Sequence, residues 1–307
     1  MLMLVGGVIG FLIVATLAGL VMRRFATTEA SRNTIDNLNA RMRAWWAMAI
    51  IFGGTLFIGR VGSIALFGMC SFWALREFIT LTPTRPGDHR VLFWAFFVIT
   101  PLHYYLLSID WYGLFIILIP VYAFLLIPTR NAISGDCERF LERTAKIQWA
   151  LMICVYCVSH APALLYLRIF NYAGQNGKLL FYFVFIVEMN DVLQYVWGKT
   201  TGRHKIAPIV SPNKTWEGFI GGTLTTTLLG AFLHGVTPFT FWQAAGMSLV
   251  ITLMGFAGGL TMSAIKRDRG VKDFGASLPG HGGVLDRLDS LSFAAPVFYH
   301  LTRFFFT

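Results

Sequence analysis

The chain has 307 residues, of which 56% are hydrophobic, 15% aromatic and 13% charged, and its formal net charge is +10. Soluble domains carry about 25% charged residues, so this composition argues against a water-soluble globule, and it excludes a disordered chain, a coiled coil and a disulfide-stapled secreted scaffold. The basic residues lie in short segments between apolar runs, which is typical of multi-span membrane proteins rather than of nucleic-acid-binding proteins.

Apolar stretches long enough to cross a membrane recur along the whole chain. A spanning helix needs roughly 17–25 mostly apolar residues, and helices are expected because backbone polar groups in lipid must be satisfied within the segment. We therefore predict an all-α, polytopic membrane protein of nine or ten transmembrane helices, in which the second stretch is short. The ten candidate spans are residues 1–22, 44–59, 61–82, 91–108, 111–128, 147–168, 178–198, 215–236, 241–264 and 288–305.

Basic residues are concentrated on one side of these spans. Twenty of the 25 Lys and Arg residues fall in five loops, while the opposite side holds only Arg60, Arg168, Lys178 and Arg303. The positive-inside rule therefore predicts cytoplasmic basic loops and an external N-terminus, in a multi-pass protein of the cell (inner or plasma) membrane. The five loops are residues 23–43, 83–90, 129–146, 199–214 and 265–287.

Polar chemistry divides the chain into two regions. Residues 1–170 are predicted to be amino-terminal transmembrane helices, and residues 171–307 to be a catalytic transmembrane region with cytoplasmic loops 199–214 and 265–287. The amino-terminal region does contain the pair Arg76-Glu77, near the cytoplasmic end of the third span. We interpret that pair as a snorkelling side chain or an ion pair rather than as a site.

The span 178–198 contains two carboxylates, Glu188 and Asp191. Together with Tyr195 they are spaced i, i+3 and i+7, so the three residues share one helix face. Ionisable residues inside spans are costly and usually functional, and carboxylates without cations in lipid would be protonated. We therefore predict that a divalent metal or nearby lysines neutralise this pair. The alternative is a buried polar stripe that joins helices.

The loop 199–214 combines glycines, hydroxyls and four basic residues. Residues 211–215 are expected to open the following helix, where free amide groups together with Ser211, Lys214 and Thr215 would form an anion site. The alternative is a loop that is basic only because it faces the cytoplasm. Glu217, just inside the helix, would either pair with Lys214 or help to hold a metal ion.

Cations and carboxylates alternate most closely in the loop 265–287. Asp286 and Asp289 lie three residues apart at the start of the last helix, where both can face one ion. Hard cations such as Mg²⁺ take carboxylate and phosphate oxygens, and the neighbouring lysines and arginines suit the remaining phosphate charge. Glycines in residues 279–283 let the backbone approach a ligand closely. This composition predicts phosphoryl or nucleotidyl transfer at one membrane face.

At these residues the sequence resembles the phosphatidate cytidylyltransferase (CDP-diacylglycerol synthase) family. The family signature, approximately S-x-x-K-R-x4-K-D-x-G-x3-P-G-H-G-G-x-x-D-R-x-D, is matched from Ser263 to Asp289. An upstream family pattern, an Asp in a helix followed by G-x3-G and S-P-x-K-T-x-E-G, is matched by Asp191, by residues 198–202 and by residues 211–218. Both motifs lie in the carboxyl half, and the amino-terminal half adds only hydropathy.

The resemblance implies an enzyme that transfers a cytidylyl group from CTP to phosphatidic acid, giving CDP-diacylglycerol and diphosphate for phospholipid biosynthesis. It further implies Mg²⁺ as the cofactor, K⁺ beside it, a polar pocket open to the cytoplasm and a homodimer. The implied catalytic residues are Asp286, Asp191, Lys272 and Asp273. The candidate metal ligands are Asp191, Asp286, Asp289, Glu188 and Glu217. The candidate substrate-binding residues are Ser211, Lys214, Thr215, Ser263, Lys266, Arg267, His281 and Arg287, of which His281 would either touch substrate or fix its own loop.

The chain departs from the family pattern at one position. Family members usually carry Gly-Asp a few residues before the signature serine, whereas this chain has Gly258-Gly259. Either Glu188 or Glu217 compensates for the missing acid, or the activity is reduced. Three other functions stay open: a CTP-dependent kinase of a polyprenol or related lipid alcohol, a secondary transporter of an anionic solute, and an inactive relative with a binding or scaffold role.

Overall fold

A computed structural model describes residues 2–25, 29–277 and 282–307 of the chain, and its architecture is almost entirely helical. Seven of the helices are long and apolar enough to cross a membrane. The predicted all-α polytopic membrane fold is therefore confirmed. The described helices are α1 (Leu2–Phe25), α2 (Glu29–Ile58), α3 (Arg60–Thr80), α4 (Pro86–Ser108), α5 (Tyr112–Ile133), α6 (Phe140–Tyr166), α7 (Asn176–Thr201), α8 (Trp216–Val236), α9 (Phe241–Asp268) and α10 (Leu285–Phe306).

Each of the ten predicted spans overlaps one of these helices, and most of the helices run past the apolar stretch that predicted them. The clearest difference is in α2, where residues 29–43 continue the helix although we expected a cytoplasmic loop. This segment contains no Gly or Pro, the residues that interrupt helices, so the helix extends through polar sequence beyond its apolar part, Trp45–Ile58.

The one described β-sheet is a small hairpin in the loop between α7 and α8. Strand β1 (Lys205–Ala207) pairs antiparallel with β2 (Ser211–Thr215), with Lys205 opposite Thr215 and Ala207 opposite Ser211. The expectation that residues 211–215 open a helix is therefore wrong, because this segment is extended and α8 begins at Trp216. The hairpin holds the polar side chains of β2 beside the membrane-spanning bundle.

Four consecutive helices of the carboxyl half, α7 to α10, pack against one another and form the scaffold of the candidate site. Their contact is close where glycine permits it: a β-carbon at Gly218 in α8 would lie 2.9 Å from the Cα of Gly198 in α7. Larger side chains fill the space further from the hairpin, where the stacked rings of Phe183 and Phe298 have centroids 5.2 Å apart. The close approach of Gly218 to Gly198 therefore makes the end of the bundle beside the hairpin tightly packed.

Helix α3 connects the amino-terminal helices to this scaffold, because it packs against both α6 and α10. The loop after its site-facing end, residues 81–85, is held by ion pairs to the next loop on the same side of the bundle, residues 134–139. There the buried Arg143 guanidinium binds the buried Asp88 carboxylate at 2.9 Å, and Arg85 donates to Asp136 at 2.9 Å. These ion pairs hold the short loops on one side of the bundle together.

Candidate active site

Glu77 of α3 holds the start of α10. Its carboxylate is buried and accepts hydrogen bonds from the Val284 N–H at 3.0 Å, the Leu285 N–H at 2.9 Å and the Ser277 hydroxyl at 2.7 Å. The first N–H groups of a helix have no partner within the helix, and an anion is stabilised there by the helix dipole. A β-carbon at Gly283 would collide with this carboxylate, so the chain needs glycine at that position.

Asp286, in the first turn of α10, organises the loop that precedes it. Its Oδ1 accepts a hydrogen bond from Lys266 Nζ at 2.8 Å, and its Oδ2 accepts from the N–H groups of Phe274 and Gly283 at 2.8 and 2.9 Å. The ion pair with Lys266 is almost fully buried. Both oxygens are therefore engaged by the protein, and metal ligation by Asp286 stays a prediction.

Asp191 of α7 lies against the same part of α10. The Ser290 hydroxyl lies 3.0 Å from Oδ2 and 3.2 Å from Oδ1 of Asp191, and donates to this carboxylate. Ser290 follows Asp286 by four residues, which is about 6 Å along the helix axis. The acids of two separate helices thus converge on the beginning of α10. Glu188, one turn before Asp191 on α7, is half-buried.

Lys214 of β2 approaches these carboxylates from the hairpin. Burial lowers the pKa of Lys214, and the nearby charges of Asp191 and Asp289 act in the opposite direction. The Lys214 ammonium lies 4.5 Å from the centroid of the Phe256 ring on α9. A β-carbon at Gly259 would lie only 3.0 Å from Lys214 Nζ. The position where the family pattern places an acid is therefore beside this lysine.

A cavity of about 230 Å³ opens between the hairpin and helices α7 to α9. Three of the predicted substrate-binding residues, Ser211, Lys214 and Thr215, line it together with Asp191. Of the aromatic residues around it, Phe219 and Phe256 have ring centroids 4.4 Å apart. The full lining consists of Asp191, Gln194, Tyr195, Ser211, Asn213, Lys214, Thr215, Gly218, Phe219 and Phe256.

Thr215 and Glu217 hold the hairpin against α8. The Thr215 hydroxyl caps α8 by accepting the Gly218 N–H at 3.1 Å. The Glu217 carboxylate accepts the N–H groups of Arg203 and His204 at 3.0 and 3.2 Å, and its other oxygen lies 2.6 Å from the His204 ring. Glu217 is not part of the cavity lining, so the structure gives it a bracing contact where we predicted a metal ligand or a Lys214 partner.

The remaining predicted residues lie around the cluster formed by Asp191, Asp286, Asp289 and Lys214, and they differ in how exposed they are. Arg267 donates to the carbonyls of Val210 and Val271 at 3.3 and 3.2 Å, which joins the two loops, and the Ser263 hydroxyl donates to the Gly259 carbonyl at 2.6 Å. The buried Nε of Arg287 has no hydrogen-bond partner among the described residues. Lys272 and Asp273 are exposed. His281 lies outside the described residues.

The chemistry of the donor set determines what this cluster can bind. Within the part of the chain that the structure describes, no three His, Cys, Asp or Glu residues are grouped closely enough to enclose a metal ion. Mg²⁺ is usually bound by one or two carboxylates together with substrate phosphates rather than by a protein cage. Asp191 and Asp289, next to Lys214, fit that manner of binding. The donor set of these residues therefore fits a polyphosphate with a divalent cation better than a metal ion held by the protein alone.

The chain is similar to known proteins along most of its length. The model of the cytidylyltransferase family matches residues 39–305 of the chain. The uncharacterized protein YnbB of Escherichia coli K12 is 39% identical over 294 residues, which cover 95% of each chain. A phosphatidate cytidylyltransferase of Staphylococcus aureus is 36% identical over 157 residues, which are 50% of this chain and 60% of the relative. A phosphatidate cytidylyltransferase of Mycobacterium leprae is 44% identical over 124 residues, which are 39% of each chain.

Proposed function

The chain belongs to the cytidylyltransferase family and is a nucleotidyltransferase, and from this premise we propose that it transfers the cytidylyl group of CTP to phosphatidic acid. The acceptor is proposed because relatives that match parts of the chain are named phosphatidate cytidylyltransferase. The products would be CDP-diacylglycerol and diphosphate.

One observation carries the proposal: acids and lysines from separate parts of the carboxyl half meet at one end of the bundle. The Asp191 carboxylate lies 3.0 Å from the Ser290 hydroxyl of α10, and Asp286 pairs with Lys266 at 2.8 Å. Lys214 extends from the hairpin to within 4.5 Å of the Phe256 ring centroid on α9. Nucleotidyl transfer needs positioning and neutralisation of phosphate charge more than covalent chemistry from the protein. A cluster of carboxylates and lysines beside a membrane-spanning bundle supports this use.

In the proposed reaction a phosphate oxygen of phosphatidic acid attacks the α-phosphorus of CTP, and the bond to the leaving diphosphate breaks. Lys214, at the cavity wall, would bind CTP phosphates, and the buried Arg287 Nε offers a further donor. No general base is required, because a phosphate monoester is already anionic near pH 7. The lipid would enter sideways from the bilayer, while CTP would enter from water.

Asp191 and Asp289 are the residues that would hold Mg²⁺, because Asp191 lines the cavity and Asp289 directly precedes Ser290, whose hydroxyl donates to Asp191. When bound, the ion would offset the negative charge that develops on the phosphates during transfer. Asp286 would act indirectly, through Lys266, because its oxygens already accept hydrogen bonds from Lys266 and from the loop backbone. In this arrangement Asp286 positions the lysine, and the acids next to it meet the substrate.

We further propose that the site faces the cytoplasm and that the N-terminus lies outside, because the basic loops are on the side of the site. The exposed Cys137 lies in one of these loops, whereas Cys154 and Cys157 are buried, which provides a natural probe. A membrane-impermeant maleimide should label Cys137 only after the cell membrane is permeabilised. Labelling in intact spheroplasts, absent from a Cys137→Ser control, would reverse the orientation.

The reaction is tested with purified full-length protein in detergent, CTP labelled in cytidine, Mg²⁺ and phosphatidic acid. The proposal expects equimolar release of diphosphate and transfer of the cytidine label to lipid. Release of CDP without labelled lipid would identify a CTP-dependent lipid kinase instead. Transport of an anionic solute in vesicles without nucleotide would support the transporter. Absence of turnover with every acceptor would support an inactive relative.

A further inference from the structure

A second cavity, of about 350 Å³, lies where the turn between α2 and α3 meets the start of α7. It is remote from the candidate active site. Arg60 begins α3 and Glu77 lies 17 residues further along the same helix, which corresponds to about 25 Å. Similarly, Lys178 and Asp191 are separated on α7 by about 20 Å. The cavity is therefore at the opposite end of the bundle.

The charge in this cavity is entirely positive. Arg60 and Lys178 line it, and no Asp or Glu is among the lining residues. Arg60 lies over the Tyr166 ring, 4.7 Å from its centroid, and Lys178 Nζ donates to the Gln175 side chain at 2.6 Å. Among the described ion pairs, neither cation is matched by a carboxylate. Two cations with neutral partners keep the capacity to bind an anion.

Two helices begin at this cavity, and neither has a side-chain cap. Helix α3 follows Gly59, which has no side chain, and the Gln175 side chain does not cap α7. The amide groups of both first turns are therefore without side-chain partners, and both helix dipoles place positive charge at the same location. Helix N-termini with this arrangement bind phosphate and other anions.

An independent observation comes from Ser63, which is fully buried and also lines the cavity. Its hydroxyl has no hydrogen-bond partner among the described residues. A buried hydroxyl without a partner is unfavourable, because it has lost its hydrogen bonds to water. A ligand with acceptor oxygens in the cavity would satisfy this hydroxyl.

The rim of the cavity is apolar. Leu56, Phe57 and Leu165 contribute to the lining, and the adjacent Val61 is highly exposed on the surface of a chain that spans a membrane. We propose that this cavity binds a phosphate group, held by Arg60, Lys178 and Ser63, with the apolar rim receiving acyl chains when the phosphate belongs to a lipid. This inference does not depend on the proposed catalytic activity.

The test uses purified full-length protein in detergent and two probes. Native mass spectrometry measures binding of phosphatidylglycerol, with phosphatidylcholine of the same acyl chains as the zwitterionic comparison, and equilibrium dialysis measures binding of labelled inorganic phosphate. The main variant is Arg60→Gln with Lys178→Gln, and Ser63→Ala removes only the hydroxyl. The matched control is Arg168→Gln, because Arg168 is an exposed cation at the same end that already pairs with Asp110.

We expect preferential binding of phosphatidylglycerol, weakened about tenfold or more in the double variant and less in Ser63→Ala, with Arg168→Gln unchanged. If only inorganic phosphate binds and the same variants weaken it, the phosphate comes from water and the site is still supported. The proposal is overturned if neither probe binds, if the double variant binds as the wild type does, or if Arg168→Gln loses as much affinity. Thermal unfolding of the same preparations in detergent reports whether the variants are folded.

Discussion

The Glu77 carboxylate lies 2.9 Å from the Leu285 amide nitrogen, although the two residues are more than two hundred positions apart in the chain. This contact fixes the start of α10 to α3, and α10 carries Asp286, Asp289 and Ser290. The amino-terminal half of the chain therefore contributes directly to the geometry of the candidate site. Glu77, which we interpreted from the sequence as part of a snorkelling or ion-paired Arg76-Glu77, instead determines where the acids of α10 lie.

Replacing Glu77 by Gln should lower turnover about tenfold to a hundredfold and the free energy of unfolding by about 1–3 kcal/mol. The amide retains one acceptor oxygen where the carboxylate had two, so at least one of the buried donors of Ser277, Val284 and Leu285 loses its partner. Initial rates of diphosphate release and thermal unfolding in detergent measure the two effects.

The matched control is Glu138→Gln, since Glu138 is an exposed acid that pairs with Arg85 on the same side of the bundle. An exposed substitution of this kind should change the free energy of unfolding by less than about 0.5 kcal/mol. Equal losses in both variants would mean that the Glu77 contact has no special role.

Replacing Asp286 by Asn should abolish measurable turnover while the protein still inserts into the membrane. The substitution leaves Lys266 buried without its counter-ion and places an amide group against backbone donors, which costs about 3–5 kcal/mol for a broken buried ion pair. Cytidine transfer to lipid and membrane fractionation measure the outcome. Asp268→Asn is the control, because Asp268 is an exposed acid at the end of α9, two residues after Lys266. Wild-type turnover of Asp286→Asn would remove Asp286 from the site.

The helices could be predicted from sequence because each apolar run exceeds the length that a bilayer requires. The hairpin could not be predicted from sequence, because its strands of three and five residues are too short and too polar to show the alternation of apolar and polar residues that is typical of strands. Its strands are fixed instead by tertiary contacts, such as the bond from the Trp216 N–H to the His204 carbonyl at 2.9 Å.

The candidate site was accessible to sequence reasoning only in part. Asp191 and Asp286 each lie at the basic end of a span, so charge patterning could predict that they meet at one face of the membrane. The partners of Glu77 and Glu217 are largely backbone N–H groups, which no residue pattern identifies. One signal could have pointed to Glu77: α10 begins without a side-chain cap of its own, so its amides need an acceptor from elsewhere.

Lys214→Ala should raise the KM for CTP about tenfold and change turnover at saturating CTP much less. The lysine lines the cavity and lies close to the two acids, so its charge is available to nucleotide phosphates. Lys205→Ala is the control, because Lys205 is an exposed lysine on the partner strand of the same hairpin. Steady-state kinetics with varied CTP distinguish the variants, and equal KM values for both would contradict the anion-site interpretation of Lys214.

Gly259→Asp should lower the Mg²⁺ concentration that gives half-maximal turnover by about tenfold, because added carboxylates raise the affinity of a site for hard cations. A β-carbon at this position would lie 3.0 Å from Lys214 Nζ and 3.5 Å from Ser290 Oγ, so the new carboxylate would enter the cluster that contains Asp191. Its attraction to Lys214 should at the same time raise the KM for CTP. Gly259→Asn has the same shape without the charge, and it should therefore crowd Lys214 without improving the Mg²⁺ dependence. If the two variants respond identically to Mg²⁺, the space beside Gly259 is not part of the cation site, and the glycine serves only to make room for the lysine.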